Sequence, residues 1–223
     1  MMDGRVSRSQ LPQAVDRLYF ERGAYERGFR SLAGLDEAGR GPLAGPVVAS
    51  AVVLPSGALF PGLRDSKKLT AGQRERFYEE ISREARGIGI GTVGPEVIDA
   101  INILEATRLA MKQALSALPV LPDYLLIDAM TLPDVGIAQH GLVRGDDLSQ
   151  TIAAASVIAK VTRDRLMMEY DRRYPQYNFR SHKGYGTAEH LLALKEHGPC
   201  PIHRRSFRRV ATPETGRKRL HEG

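Results

Sequence analysis

Acidic residues stand at the ends of three apolar segments of this sequence. Asp36 and Glu37 end "SLAGLDE", Asp128 ends "DYLLID", and Asp146 with Asp147 ends "AQHGLVRGDD". Desolvating a carboxylate is unfavourable, so acids in such positions usually serve chemistry or bind a metal ion. Converged carboxylates repel one another unless cations bind, and ligands that are all oxygen favour Mg²⁺ or Mn²⁺ over zinc. Two such ions, roughly 3.5–4 Å apart, are the usual arrangement for in-line displacement at a phosphodiester.

Each acid also has an ordinary structural interpretation. A single Asp at the end of a strand is most often a turn or helix-cap residue, and Asp128 taken alone fits that description. For Asp147 we prefer it, because only one of two neighbouring residues can point at a given site. Acids after three predicted strands, in a basic protein, together indicate a metal-dependent enzyme that acts on phosphates. Composition and spacing do not name its substrate.

The composition is that of a one-domain protein with a basic surface. The chain has 223 residues, a net charge of +6 and a sequence pI of about 9.6, which favours a polyanionic partner. Its single cysteine, Cys200, excludes an intrachain disulfide and fits a reducing cytosol as an incidental thiol. The N-terminal stretch is charged throughout, unlike a secretory signal, and the longest apolar run, "PLAGPVVASAVVLP", is too short to span a bilayer. We therefore predict a cytoplasmic protein without a membrane segment.

The hydrophobic periodicity predicts strands and helices in alternation. Apolar residues Leu11, Val15, Leu18 and Tyr19 predict one face of an amphipathic helix within residues 11–30. The predicted strands cover 31–36, 47–54, 87–94, 123–130 and 138–147, and the first two form a hairpin. Two further helices are predicted to begin at capping boxes, one at Thr70–Gln73 and one at Asn102–Glu105. Two more are predicted over residues 149–174 and 187–198.

This order of elements predicts one α/β layer fold with a mixed sheet. In such sheets the carboxyl ends of neighbouring strands share one edge, where ligands collect. Acids that are far apart in the sequence can therefore converge there.

Long blocks of the sequence resemble bacterial ribonuclease HII over about residues 31 to 210. The matching blocks are "GLDEAGRGPLAGPVVASAVVL", "DSKKLT", "LLIDAM", "GDDLSQTIAAASVIAKVTRDRLM" and "SHKGYGTAEHLLALKEHGPCPIHRRSF". The resemblance implies a ribonuclease H-like fold, with a mixed central sheet flanked by helices and a helical C-terminal part. It also implies an endonuclease that cuts the RNA strand of RNA–DNA hybrids and nicks duplex DNA on the 5′ side of an embedded ribonucleotide. The products carry 5′-phosphate and 3′-hydroxyl ends, and the cofactors are two Mn²⁺ or Mg²⁺ ions.

The resemblance also divides the chain and places the active site. Residues 1–30 become a helical extension, 31–210 the catalytic domain and 211–223 a basic tail. The family's catalytic and metal-binding acids fall on Asp36, Glu37, Asp128 and Asp146, with Asp36 bridging the two ions. No side-chain nucleophile is implied.

The residues implied to recognise the ribonucleotide junction are Gly39, Arg40, Gly41 and Tyr185. A ribonucleotide differs from its neighbours only in a 2′-hydroxyl, and glycine lets the main chain approach a sugar closely. The Tyr185 ring would pack against the next sugar. The alternatives are a surface tyrosine and a solvated arginine.

Phosphate contacts are predicted for Lys67, Lys68, Ser156, Lys160 and Lys183. A solvated lysine remains the alternative at each basic position. The segment "HRRSF" (203–207) matches the family without a role we can assign. We interpret His182, His190 and His197 as surface or capping residues.

Two other functions stay open. One is another ribonuclease H-like metal nuclease, such as a type III ribonuclease H, which acts on hybrids and not on single ribonucleotides. The other is a non-catalytic nucleic-acid-binding domain, against which the four acids argue. We expect a monomer that binds RNA–DNA hybrids and DNA duplexes containing ribonucleotides.

Overall fold

A five-stranded mixed sheet forms the centre of the computed structural model, which describes residues 16–211. Its strands are β1 (Leu32–Ala38), β2 (Val47–Val53), β3 (Gly87–Val93), β4 (Tyr124–Asp128) and β5 (Ala138–Leu142). They lie in the order β3-β2-β1-β4-β5. The β1–β2 and β2–β3 pairs are antiparallel, whereas the β1–β4 and β4–β5 pairs are parallel. The predicted mixed sheet and the β1–β2 hairpin are confirmed.

Helices cover both faces of the sheet and form the C-terminal part. They are α1 (Tyr19–Glu26), α2 (Ala71–Glu84), α3 (Pro95–Ser116), α4 (Gly145–Leu148), α5 (Gln150–Arg173), α6 (Phe179–His182) and α7 (Ala188–His197). The predicted capping box of α2 is confirmed, because Thr70 and Gln73 bond reciprocally through side chain and main chain. No helix among residues 16–211 is long and apolar enough to cross a membrane.

Helix α3 begins earlier than the sequence predicts. Asn102 caps its second segment as expected, since its side-chain oxygen accepts from the amides of Leu104 and Glu105. A further segment from Pro95 precedes it, and Asn102 lies at the kink with φ 68°. The capping signal therefore marks a break within the helix rather than its first residue.

Strand β1 divides its side chains between two cores. Ala33 and Leu35 pack in the core shared with α3, whereas Leu32 packs with Ile152 of α5 on the other face. Gly34 faces α5, because a Cβ there would lie 2.3 Å from the Thr151 carbonyl carbon. Helix α5 thus lies directly on β1, on the face where Asp36 follows Gly34.

One predicted strand end and one predicted helix-face residue are wrong. Strand β5 ends at Leu142, and Arg144 adopts a left-handed conformation (φ 59°) that turns the chain into α4. Asp146 and Asp147 therefore lie in a short helix and not at a strand end. In the N-terminal segment, Leu11 and Val15 lie outside the described residues, and Tyr19 is 64% exposed rather than on the apolar face of α1.

Candidate active site at the carboxyl edge of the sheet

Three of the four predicted acids converge at the carboxyl edge of the parallel strands. Asp36 comes from β1, Asp128 ends β4, and Asp146 lies in α4 just after β5. One carboxylate oxygen of each lies within 4.8 Å of the others. Asp36 and Asp146 are only 3% and 5% exposed, and Asp128 is half-buried. Acids that are distant in the sequence therefore lie together at one edge of the sheet, as predicted.

Hydrogen bonds fix the Asp128 carboxylate and the main chain of the turn that carries Asp146. The Gly145 amide donates to Asp128 Oδ1 at 2.7 Å. Arg17, from the segment before α1, donates to the carbonyl oxygens of Asp146 and Asp147 at 2.7 and 2.8 Å. Glu21 is buried beside them. A segment about 130 residues away in sequence therefore holds the Asp146 turn from outside.

Glu21 ties α1 to the first turn of α5. Its Oε1 accepts hydrogen bonds from the Ser149 hydroxyl at 2.6 Å and from the Thr151 amide and hydroxyl at 3.0 Å. A carboxylate at the N-terminus of a helix is favourable, because it satisfies free amides and complements the helix dipole.

Burial and mutual repulsion raise the pKa values of the clustered acids. Burial raises the pKa of Asp36 well above its usual value, and the charges of Glu37 and Asp128 raise it further. Burial and the charge of Asp128 raise the pKa of Asp146 from 3.8 to about 6. Lys67 faces the acids, and their charges outweigh its burial to raise its own pKa. The site therefore attracts cations.

Glu37 lies beside the cluster and not within it, since consecutive strand residues point to opposite faces. Its Oε1 lies 3.4 Å from Arg40 Nη1. Its Oε2 is buried without a hydrogen-bond partner in the described part of the chain. Burial raises the pKa of Glu37, although Arg40 lowers it in part. A buried carboxylate oxygen without a partner, next to three carboxylates, fits a divalent cation.

Residues of "DSKKL" complete the cleft in a way the sequence did not show. Asp65 lines the same cleft as Asp128 and Asp146 and raises the pKa of both. Its side chain accepts from the Lys67 amide at 2.9 Å. Its signal was its place in the matched block "DSKKLT", but the aspartate does not follow a predicted strand.

Asp147 is not one of the three clustered acids. Burial raises the pKa of Asp147, but hydrogen bonds from Lys68 and Arg144 outweigh this effect and lower it. The Lys68 ammonium lies 2.6 Å and the Arg144 guanidinium 3.0 Å from its carboxylate. Lys68 is therefore engaged in an ion pair at the rim, whereas Lys67 faces the acids.

The predicted junction residues lie together on two hydrogen-bonded loops. The Leu43 amide of the first loop donates to the Gly184 carbonyl of the second at 2.8 Å. Gly39 has φ +97°, and a Cβ on it would lie 2.0 Å from Arg163 Nε. A Cβ on Gly41 would meet only the Tyr185 ring, at 3.8 Å. The fold thus requires glycine at position 39, whereas the space above Gly41 is open beside a ring that is 44% exposed.

The remaining predicted phosphate contacts differ in position. Ser156 is buried, donates to the Ser66 hydroxyl at 2.9 Å and lowers the pKa of Asp36 in part. Lys160 pairs with Asp164 at 2.7 Å. The Lys183 ammonium donates to the Arg180 carbonyl. Ser156 therefore lies at the acids, while both ammonium groups are bound to other parts of the protein.

The interpretation of His182 and His190 as surface or capping residues is wrong. They are 8% and 0% exposed and their rings stack at 4.5 Å. His190 Nδ1 lies 2.9 Å from the Tyr185 carbonyl oxygen, and its Nε2 lies 3.0 Å from that of His203. Burial lowers the pKa of His203 to about 4, so this ring is uncharged at neutral pH, and burial also lowers the pKa of His190. These buried histidines support the loop of Tyr185.

Comparison with known proteins shows the family. The ribonuclease HII family model matches residues 33–210. The ribonuclease HII of Acetivibrio thermocellus is 54% identical over 198 residues, covering 89% of this chain and 77% of that protein. That of Enterococcus faecalis is 57% identical over 188 residues, covering 84% and 73%.

Solved structures show the same fold. The ribonuclease H2 of Pyrococcus horikoshii is 28% identical with a TM-score of 0.68, covering 82% of this chain and 96% of that one. A Bst-RNase HIII shares the fold at 18% identity and a TM-score of 0.65, covering 84% and 70%. Family model, relatives and fold agree on one conclusion: the chain belongs to the ribonuclease HII family and is a ribonuclease H, acting on RNA–DNA hybrids.

Proposed function

We propose that this ribonuclease H depends on Mn²⁺ or Mg²⁺ and also nicks duplex DNA on the 5′ side of a single embedded ribonucleotide. The products are a 5′-phosphate and a 3′-hydroxyl. One observation carries the proposal: three carboxylates within 4.8 Å of one another, two of them almost fully buried, beside loops that carry an open glycine and a half-exposed tyrosine. Such a cluster is unfavourable without a cation.

Asp36, Asp128 and Asp146 would hold the metal, with Glu37 completing the ligands. Bound divalent ions would supply a nucleophilic water and stabilise charge on the reacting phosphate. Main-chain amides orient two of these carboxylates. The Glu37 amide donates to Asp36 Oδ1 at 2.7 Å, and the Gly145 amide fixes Asp128 in the same way. Both carboxylates are therefore oriented before any ligand arrives.

Gly39, Arg40, Gly41 and Tyr185 would read the ribonucleotide. The open space at Gly41 admits a sugar edge to the main chain, and the adjacent Tyr185 ring offers a flat surface to the next sugar. Arg40 is exposed and lies at the Glu37 edge of the acids, where its charge can meet a phosphate. The Gly39 conformation holds this arrangement in place.

Basic residues around the cleft would bind the backbone of the duplex. Lys67 faces the acids, and Ser156 supports Asp36 from α5. Lys160 and Lys183 would have to exchange their present partners for phosphates. The net charge of +6 supports binding of a polyanion. We also propose that the protein acts as a monomer in the cytoplasm.

The test is a nicking assay on a labelled DNA duplex with one ribonucleotide. Wild-type protein with Mn²⁺ or Mg²⁺ should give one nick on the 5′ side of the ribonucleotide, and EDTA or an all-DNA duplex should give none. Asp36→Asn should bind the duplex without cleaving it. Cleavage of long hybrids alone would remove the junction proposal and keep the acids. Cleavage in EDTA, or full activity of Asp36→Asn, would overturn the metal site.

A further inference from the structure

Arg204, in the unassigned "HRRSF" segment, grips the loop that carries the Gly-Arg-Gly motif. Its side chain is 0% exposed. Nε donates to the Gly45 carbonyl at 2.9 Å, Nη1 to that of Arg40 at 2.9 Å, and Nη2 to that of Gly39 at 2.5 Å. The Arg204 amide also donates to the Leu43 carbonyl at 2.9 Å. Main-chain carbonyls of a single loop thus accept hydrogen bonds from all three nitrogens of the buried guanidinium.

Arg163 holds the same loop from α5. It is also 0% exposed, and it donates to the carbonyls of Pro46 at 2.9 Å, Ala44 at 3.1 Å and Lys183 at 3.0 Å. Its third bond joins the loop to the segment that carries Tyr185. Burying a guanidinium is unfavourable unless its donors are satisfied, and in both arginines main-chain carbonyls do this.

The bonds of Arg204 fix the direction of two peptide groups. The carbonyls of Gly39 and Arg40 point inward to the guanidinium. In a planar trans peptide the following N–H points the opposite way. The amides of Arg40 and Gly41 therefore point outward. Both residues are exposed, and neither amide donates a hydrogen bond to another main-chain group within residues 16–211.

We propose that Arg204 is a positioning residue for ribonucleotide recognition, which turns the Arg40 and Gly41 amides outward as donors for the 2′-hydroxyl. Arg163 sets the distance from this loop to Tyr185. A 2′-hydroxyl accepts as well as donates hydrogen bonds, so two fixed amides favour a ribose over a deoxyribose. Lysine cannot replace Arg204, because one ammonium cannot donate along the fork directions of a guanidinium. The inference rests on the proposed junction function.

The experiment measures discrimination rather than rate. Each variant is made in the Asp36→Asn background, and its affinity is compared for two DNA duplexes that differ only in one ribonucleotide. The background protein should prefer the ribonucleotide duplex. Arg204→Lys should reduce that preference about tenfold, as expected for loss of an oriented hydrogen bond, with the affinity for all-DNA duplex unchanged. Arg205→Lys, the same change at the exposed neighbour, should keep the preference.

A milder variant covers the case in which Arg204→Lys does not fold. Asp99 accepts hydrogen bonds from the Arg205 and Ser206 amides at 2.8 and 3.0 Å, so Asp99→Ala loosens the Arg204 segment without removing a buried group. It should lower the preference by less than Arg204→Lys and leave all-DNA binding intact. No preference in the background protein would refute the junction function itself. If the preference for the ribonucleotide duplex survives in folded Arg204→Lys and in Asp99→Ala, the role of Arg204 is refuted and the junction function is kept.

Discussion

Replacing Asp146 by asparagine should stabilise the metal-free protein while abolishing its activity. The folded state holds the Asp146 proton with a pKa of about 6, against a usual 3.8. A difference of about 2 in pKa corresponds to ~3 kcal/mol. Because the pKa is raised on folding, the contribution of Asp146 to the free energy of unfolding is complete below pH 3.8. This contribution is lost as the pH rises through about 6. At pH 7.5 the ionised Asp146 carboxylate therefore destabilises the folded protein in the absence of metal.

Asparagine keeps the shape of Asp146 and removes its charge, and no side-chain hydrogen bond of Asp146 is found within residues 16–211. We expect the free energy of unfolding at pH 7.5 in EDTA to rise by up to ~3 kcal/mol, or about 6–12 °C in Tm for a domain of this size. The gain should shrink as the pH falls to 4.5. Thermal melts with and without Mg²⁺, together with the nicking assay, measure it.

The neighbouring acid provides a control with the opposite sign. The pKa of Asp147 is lowered by Lys68 and Arg144, so Asp147→Asn should leave metal-free stability unchanged or slightly reduced. Mg²⁺ should stabilise the wild-type protein and Asp147→Asn but not Asp146→Asn. A lower Tm of Asp146→Asn in EDTA at pH 7.5 would show that the Asp146 carboxylate is not under repulsion in the folded protein.

Three further tests separate recognition, support and packing. Gly41→Ala should leave Tm within a few degrees of wild type but weaken nicking at a single ribonucleotide. Gly39→Ala should lower the free energy of unfolding by ~1–3 kcal/mol, because φ at Gly39 is +97° and Arg163 blocks the new methyl group. Equal melting of both variants would contradict this. Arg17→Ala should raise the Mg²⁺ concentration for half-maximal cleavage, since the Asp146 turn loses two hydrogen bonds. Arg22→Ala should not, because the one ion pair of Arg22 within residues 16–211 is with exposed Asp16. Gly34→Ala should destabilise the protein by on the order of 3 kcal/mol in urea unfolding, because main-chain atoms of α5 leave no space for a methyl group; an unchanged midpoint would refute that packing.

Local signals in the sequence predicted much of the fold. The Thr70–Gln73 capping box, the strand at 87–94 and the helix at 187–198 were predicted from neighbouring residues alone, and the structure has each of them. The position of Asp36 and Asp128 followed from the shared edge of parallel strands. These features depend on short stretches of sequence, in which periodicity and capping residues can be recognised.

Features that depend on tertiary contacts were missed. The residue in the left-handed conformation is Arg144 rather than a glycine or asparagine, so the predicted strand was extended through Asp147. The burial of His190 and Arg204 depends on partners that are distant in sequence, and no hydrophobic pattern marks a charged or polar core residue. The ion pair of Glu37 with Arg40 is a tertiary detail of the same kind, and the predicted metal-binding role of Glu37 stays a prediction.

The distance in sequence between Arg204 and the Gly-Arg-Gly loop has a consequence for synthesis of the protein. The loop leaves the ribosome early, but the side chain that orients its peptide groups lies 165 residues later. At ordinary elongation rates that separation corresponds to roughly ten to thirty seconds. In the later part of this interval the nascent chain carries both Asp36 and Asp128 but not yet Arg204. On our proposal, a chain terminated before Arg204 would carry the acids without the residue that orients the loop for ribonucleotide recognition.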